Sequence, residues 1–173
     1  MGQVVPDVTV FTLAGKPLIL SSLWKHKPTV LVTASITCPI AYRSCPSLKQ
    51  LQGDYGDAVN VVILYQREAH PKPESQTVNR QRIRFRGTTA EQYPQPKTLD
   101  ERLTLAKNFD QHMSSDVRIV VADIGGDVNE ALGMGPNMGL LINREGKIFV
   151  KQGWYDIEAM DTEVAELLAQ GPE

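Results

Sequence analysis

The stretch from Thr29 to Leu51 constrains the fold of this chain most strongly, because it joins an apolar run to a helical pattern through a cysteine. Apolar, β-branched residues follow one another around Val30–Val32, which is typical of a strand buried on both faces. After a Ser/Thr-rich corner, Cys38 is followed by proline, a residue favoured in the first helical turn. The pattern therefore predicts a thiol at the junction between the end of a central strand and the start of a helix.

A thiol at such a junction can be reactive or inert. The unpaired N–H groups and the positive end of a helix favour the thiolate, so the position predicts a lowered pKa for Cys38. The alternative is a buried structural cysteine, since free cysteines often lie in protein cores. We prefer the reactive interpretation because the strand end, the proline and the helix start coincide.

The size and charge of the chain limit its class. Its 173 residues suffice for a single domain over residues 1–173 with a core of its own. The net charge of −2 gives no indication of nucleic-acid or membrane binding. Two cysteines are too few for a disulfide scaffold. The lack of an N-terminal apolar run predicts a cytoplasmic location, with a removed signal peptide as the open alternative.

Alternating strand and helix patterns predict an α/β, thioredoxin-like fold with an N-terminal β-hairpin over Val8–Leu20. The helix after Cys38 should end near Tyr55, and the second core strand should cover Val59–Leu64. A polar insertion follows it at Pro71–Pro96, with one short helix around Val78–Phe85. Further elements are predicted as a helix over Leu99–Met113, a strand over Val117–Ala122, a short helical piece within 123–135, a hairpin over Met138–Lys151 and a helix capped by Asp156. In this fold the reactive group lies at the C-terminal edge of the sheet.

Several segments resemble the iodothyronine deiodinases, across most of the chain from Val30 onward. They are Ser35–Pro39, Tyr65–Pro71, Leu99–Leu103, Asp123, Gly133–Pro136 and Leu140–Ile148. The Glu-Ala-His-Pro element within Tyr65–Pro71 is the most specific of them. The resemblance implies a thiol-dependent oxidoreductase that removes iodine from iodinated phenols, works with an external thiol reductant, needs no bound cofactor or metal, and forms a homodimer.

The resemblance also implies roles for single residues. Cys38 stands where those enzymes have selenocysteine, so it would be the nucleophile. The reaction would be slower than theirs, because a thiolate is the poorer nucleophile. His70 would donate a proton, with Glu68 as its partner in proton delivery.

Other residues match further active-site positions of the same family. These are Ser35, Thr37 and Tyr65, and both Tyr65 and Pro136 would border the substrate. Pro136 precedes the final hairpin, where thioredoxin-like folds usually have a cis proline beside the thiol.

Two positions depart from the family pattern. Its second active-site histidine falls near Pro96, and the arginine that helps to hold the thyronine carboxylate falls at Met138. The second departure argues against the hormone itself as the substrate. The chain therefore resembles a soluble, microbial-type relative more than a hormone enzyme.

Two alternatives arise from the residues themselves. Ser35 stands three residues before Cys38, where peroxiredoxins place a Ser or Thr, although Leu31 replaces their proline. This supports a thiol peroxidase, whereas capping of the helix is the plainer role for Ser35 and Thr37. Glu68 and His70, two residues apart in an extended segment, should share one face and point into one pocket.

Cys45 is the candidate to resolve an oxidised Cys38. Seven residues of helix correspond to a rise of ~10 Å, beyond the ~7 Å between Cα atoms that a disulfide spans. Bonding would require the first turns to unwind, which Pro46 would ease; a buried structural cysteine is the alternative. A copper-binding module built from Cys38, Cys45 and His70 ranks lower, because thioredoxin-fold copper proteins place their cysteines one turn apart.

Overall fold

A computed structural model describes residues 2–72, 82–85, 88–113, 116–133 and 135–171. The strands in these ranges are β1 (Thr9–Thr12), β2 (Pro17–Ile19), β3 (Thr29–Ala34), β4 (Asn60–Tyr65), β5 (Arg82–Phe85), β6 (Thr88–Glu91), β7 (Arg118–Ala122), β8 (Gly139–Ile142) and β9 (Ile148–Gln152). The helices are α1 (Pro39–Tyr55), α2 (Leu99–Met113), α3 (Asp127–Leu132) and α4 (Ile157–Ala169), with a 3-10 helix at Leu20–Leu23. The predicted elements outside the insertion are confirmed, with bounds that differ by one or two residues.

The main sheet has the strand order β2-β1-β7-β4-β3-β8-β9. Its centre is parallel, because β4 pairs with both β3 and β7 in the same direction. The strands β8 and β1 flank this centre in antiparallel pairing. This confirms the thioredoxin-like α/β fold with an N-terminal hairpin, and it places the C-terminal ends of β3 and β4 side by side.

Alternation along β3 divides the core into two layers. Val30 and Val32 pack with α1, α2 and α4 on one face of the sheet. Leu31 packs on the other face with the 3-10 helix and α3. Successive side chains of a strand point to opposite faces, so the unbroken apolar run at Val30–Val32 is what a strand covered on both sides requires.

The helix predicted around Val78–Phe85 is wrong where the structure describes it. Residues 78–81 lie outside the described residues, and Arg82–Phe85 is the strand β5, paired antiparallel with β6. The sequence Arg-Ile-Arg-Phe alternates charged and apolar residues with the two-residue period of a strand, and the partner β6 begins with two threonines. The prediction of a helix did not take this two-residue alternation into account.

A threonine on β3 fixes the segment that leads into β8. The hydroxyl of Thr33 donates a hydrogen bond to the Gly135 carbonyl (2.6 Å) and accepts one from the Met138 N–H (2.7 Å). Both partners are more than 100 residues away along the chain. A buried hydroxyl thus ties the start of the final hairpin to the central strand.

Thr33→Val is expected to destabilise the protein by about 1–3 kcal/mol, because it leaves the buried Met138 N–H without its hydroxyl acceptor. Urea denaturation measures the change in the free energy of unfolding. Thr9→Val, at an exposed position of β1, is the matched control and should stay within about 0.5 kcal/mol of the wild type. Equal denaturation midpoints for Thr33→Val and Thr9→Val would contradict this role.

Candidate active site

Cys38 lies where β3 ends and α1 begins. It is the N-cap residue of α1, and Pro39 is the first residue of the helix. Its N–H donates to the Ser35 carbonyl (3.1 Å), and its carbonyl accepts from the Ala41 N–H (3.1 Å). The residue is 1% exposed. The predicted position of the thiol is confirmed, and burial is its dominant feature.

The expected lowering of the Cys38 pKa is wrong. Burial raises the pKa of the thiol above its ordinary value, and this outweighs the lowering by the helix-terminal N–H groups of Ala41 and Ile40. The nearby Glu68 carboxyl raises the pKa further. Desolvation disfavours the charged form of a buried thiol, so at neutral pH Cys38 rests as a protonated thiol.

A buried carboxyl joins the corner before Cys38 to the end of β4. Glu68 is 3% exposed. One of its oxygens accepts hydrogen bonds from the Thr37 N–H (3.0 Å) and hydroxyl (2.7 Å). Its other oxygen accepts from the Tyr65 hydroxyl, which in turn accepts from the Ile36 N–H (3.2 Å). These four residues form one continuous network behind the thiol.

The charge state of Glu68 reflects opposing effects. Burial raises the pKa of the carboxyl above its ordinary value, while the hydrogen bonds from Tyr65 and Thr37 and the charge of Arg102 lower it in part. Arg102 lies on α2, is buried, and donates to the carbonyls of Ala122 (3.2 Å) and Asp123. Glu68 is therefore a carboxyl that takes up a proton more readily than an exposed one.

The hydroxyls of Ser35 and Thr37 hold the loop that follows β4. Ser35 Oγ accepts from the Ala69 N–H (3.1 Å), and Thr37 Oγ1 accepts from the His70 N–H (3.1 Å). The helix N-terminus has no side-chain cap. The capping interpretation of both residues is therefore wrong, and they instead join the corner before Cys38 to the chain that carries His70.

Glu68 and His70 do not share one face. Strand β4 ends at Tyr65, so strand alternation does not extend to these residues. Glu68 turns into the core, whereas the exposed His70 lines a cleft beside the start of α1. Thr37 contacts both residues, the carboxyl of Glu68 and the backbone N–H of His70, so the structure brings them together through one hydroxyl.

The cleft beside Cys38 has a volume of about 720 Å³. Its lining includes Pro39, Ile40, Arg43, His70, Trp154 and Tyr155. Sequence reasoning identified His70 but missed the wall formed by the turn between β9 and α4. The lining begins at Pro39, the residue after Cys38, so this cleft is the candidate substrate site.

Asn137 is a further residue that sequence reasoning missed. It is buried, and its side-chain carbonyl accepts from Ser44 Oγ on α1 (2.9 Å). Its backbone carbonyl accepts from the Tyr155 N–H (2.7 Å). Asn137 thereby links the wall of the cleft on α1 to the wall in the turn between β9 and α4. In the sequence, its position just after Gly135 and Pro136 was the one indication that it lies near the site.

Residues 1–169 match the profile of the family described as iodothyronine deiodinase. The chain belongs to the iodothyronine deiodinase family. This confirms the resemblance noted from the Cys38 and His70 segments. Met134, within one of the resembling segments, lies outside the described residues. Membership of this family, together with the thioredoxin fold, supports a thiol oxidoreductase.

Solved structures share the fold of this deiodinase-family chain. The thioredoxin domain of a thiol-disulfide oxidoreductase from Bacteroides vulgatus is 18% identical, with 95% and 96% of the two chains covered and a TM-score of 0.64. A thioredoxin-family thiol:disulfide interchange protein from Chlorobium tepidum is 15% identical, with 96% of each chain covered and a TM-score of 0.62. The exposed lipoprotein thioredoxin of Streptococcus pneumoniae is 20% identical, with 93% and 99% covered and a TM-score of 0.61. At these identities the likeness shows the fold alone.

No curated protein sequence matches this deiodinase-family chain. In the part of the chain that the structure describes, every helix is too short or too polar to cross a bilayer.

Cys45 is a core thiol in this conformation. Its Sγ donates to the Ala41 carbonyl (3.2 Å), and burial raises its pKa to about 12. Both cysteines are free, so a resolving role for Cys45 stays a prediction. Within the described ranges, which include Cys38, Cys45 and His70, no group of three or more His, Cys, Asp and Glu residues could hold a metal ion. The copper-binding alternative therefore lacks its ligand set.

The expectation of a cis proline at Pro136 is wrong. None of the described peptide bonds is cis, so the bond between Gly135 and Pro136 is trans. The trans isomer is the more stable form even before proline. The Gly135 carbonyl is held by side chains of Thr33 and Gln66, which fixes this segment beside the site.

The pH dependence of alkylation tests the protonated resting state of Cys38. Peptide mapping after brief iodoacetamide treatment should give an apparent pKa for Cys38 above the ordinary ~8.5 of a cysteine. Glu68→Gln should lower that pKa, because the variant removes a nearby negative charge. An apparent pKa below ~8.5 in the wild type would show that the helix N-terminus dominates over burial.

Glu68 should make the stability depend on pH with a definite sign. Its folded-state pKa is raised above the ordinary 4.5, so its contribution is fully present below that value and is lost as the pH rises through the raised pKa. The free energy of unfolding of the wild type, minus that of Glu68→Gln, should therefore fall from acidic to neutral pH. Urea denaturation at several pH values measures it, and a difference that grows with pH would contradict the raised pKa.

Proposed function

We propose that this protein is a thiol-dependent reductive deiodinase of iodinated phenols, with Cys38 as its nucleophile. The observation that carries the proposal is the position of Cys38, beside a cleft and backed by the Glu68 network, in a chain of the deiodinase family. The missing arginine at Met138 leaves thyroid hormone without its carboxylate partner. The substrate class is therefore stated as iodinated phenols in general.

The reaction consumes one thiol pair per iodine. The Cys38 thiolate attacks iodine, so the carbon–iodine bond breaks, a sulfur–iodine bond forms, and the ring carbon takes up a proton. An external thiol then displaces iodide from the Cys38 sulfenyl iodide, which gives a mixed disulfide and releases a proton. A second thiol frees Cys38 and leaves as the disulfide of the reductant. The ring is reduced, the two external thiols are oxidised, and no bound cofactor is needed.

The residues around Cys38 have different roles in proton delivery. His70 lines the cleft and is exposed, and it is the proton donor to the ring, since an imidazole can act as a general acid. Glu68 is buried and acts through Thr37, whose hydroxyl it holds and which in turn holds the His70 backbone. Tyr65 completes the network, and its pKa is raised by burial, so its hydroxyl keeps its proton and donates to Glu68.

Iodide release from an iodophenol, with excess dithiol, tests the nucleophile. Cys38→Ser should lower the rate by more than about 100-fold, because a serine hydroxyl forms no effective nucleophile at neutral pH without an activating base. Cys45→Ala is the matched control and should keep a rate within a few-fold of the wild type. Iodide release by Cys38→Ser at the wild-type rate would overturn the proposal.

His70→Asn tests the proton donor separately. Loss of a general acid should lower the rate of iodide release by about 100-fold or more. The effect should appear in the turnover number, while the alkylation of Cys38 by iodoacetamide stays near the wild-type rate. An unchanged turnover number would remove His70 from the mechanism.

A peroxidase is the second candidate, and the burial of Cys38 favours it. A thiol that is 1% exposed is more accessible to a small peroxide than to an iodinated ring. Thiolate attack on a peroxide breaks the O–O bond and gives a sulfenic acid and an alcohol or water, after which two thiols restore Cys38. Rapid oxidation of Cys38 by hydrogen peroxide without any iodide release from iodophenols would favour this candidate.

A further inference from the structure

An exposed tryptophan borders the cleft beside Cys38. Trp154 lies in the turn between β9 and α4 and is 57% exposed, whereas Trp24 is 3% exposed and belongs to the core. A large aromatic side chain gains free energy when its surface leaves water. Because Trp154 lines a cleft, it is a candidate contact for a ligand.

The turn that carries Trp154 is fixed by hydrogen bonds next to it. The Tyr155 N–H donates to the Asn137 carbonyl (2.7 Å). The Asp156 N–H donates to Gln152 Oε1 (3.0 Å), and the Asp156 carboxylate caps α4 by accepting from the Ala159 N–H (2.9 Å). The backbone beside the exposed ring is thus already ordered, which lowers the entropy cost of binding a ligand to it.

The wall of the cleft that α1 forms carries a positive charge. Arg43 lines the same cleft, is exposed, and forms no salt bridge within the described part of the chain. The nearby hydroxyls are already engaged, since Ser44 Oγ donates to Asn137 and Ser47 Oγ donates to the Ser44 carbonyl (2.7 Å). A guanidinium is well suited to bind a carboxylate through paired hydrogen bonds.

We infer that this cleft binds a planar aromatic carboxylate, with Trp154 stacked on its ring and Arg43 paired with its carboxylate group. The inference rests on the proposed function, because the same cleft would then present the ring to Cys38. It assigns the anion contact to α1, whereas the family arginine that is replaced at Met138 lies just before β8. Trp154 and Arg43 are specificity-determining residues in this account, and neither takes part in the chemical step.

Fluorine NMR of protein labelled with 5-fluorotryptophan tests the inference without turnover. The Cys38→Ser variant carries two labelled tryptophans, and Trp24→Phe and Trp154→Phe assign their signals. Titration with 3-iodo-4-hydroxybenzoate should shift the Trp154 signal saturably and leave the Trp24 signal unchanged. The Kd should rise by about tenfold or more in Trp154→Ala and in Arg43→Gln, since each removes one of the main contacts.

Matched probes and a matched variant separate the two contacts. The amide 3-iodo-4-hydroxybenzamide, which has no carboxylate, should bind wild type and Arg43→Gln equally weakly. Cyclohexanecarboxylate, which has no aromatic ring, should not shift the Trp154 signal. Arg144→Gln removes an exposed arginine from a second cavity, of about 570 Å³, at the turn between β8 and β9, and should leave the Kd unchanged. Thermal melts confirm that all variants fold.

The inference is overturned if no saturable shift occurs at Trp154, if Arg43→Gln binds as tightly as its parent, or if Arg144→Gln loses binding instead. Its failure is distinguishable from that of the proposed function. Binding that depends on Trp154 and Arg43, without iodide release by the wild type, contradicts deiodination and supports the cleft assignment. Iodide release by the wild type without such binding contradicts the cleft assignment alone.

Discussion

The hydrogen bonds to the buried carboxyl of Glu68 hold together the two chain segments that make the site. One segment is the corner before Cys38, reached through Thr37, and the other is the end of β4, reached through Tyr65. The parallel pairing of β3 and β4 brings these ends side by side, and the carboxyl then fixes their spacing. A buried polar network of this kind is stable only when its donors and acceptors have hydrogen-bond partners. Each residue in it therefore limits which residue types can occupy the other positions.

Burial and the helix N-terminus act on Cys38 in opposite directions, and burial prevails. The thiol is therefore protonated at rest and shielded from solvent, and it becomes a nucleophile only after it loses that proton. Two groups that could assist lie close in the fold, the buried Glu68 behind the corner and the exposed His70 at the cleft. Both candidate reactions of this site must therefore start from a buried, protonated thiol.

Local patterns in the sequence predicted most of the fold and part of the site. The apolar run at Val30–Val32 and the Cys38-Pro39 junction depend only on neighbours in the chain, so strand, helix start and thiol position were predictable. The Cys38 pKa depends on how deeply the folded chain covers it, which no local pattern contains. Asn137 was missed because its partner Ser44 is 93 residues away. Glu68 and His70 do not share the expected face because the alternation of a strand does not continue past Tyr65, where β4 ends.

The most direct test of Cys38 as the nucleophile is a single turnover without reductant. Reduced protein would be mixed with one equivalent of an iodophenol, the deiodinated phenol quantified, and the modified residue mapped by mass spectrometry. Cys38 as nucleophile predicts one equivalent of deiodinated phenol at most, with oxidation confined to Cys38 or to adducts derived from it. Product formation with Cys38 unmodified, or with modification at Cys45 alone, would contradict it.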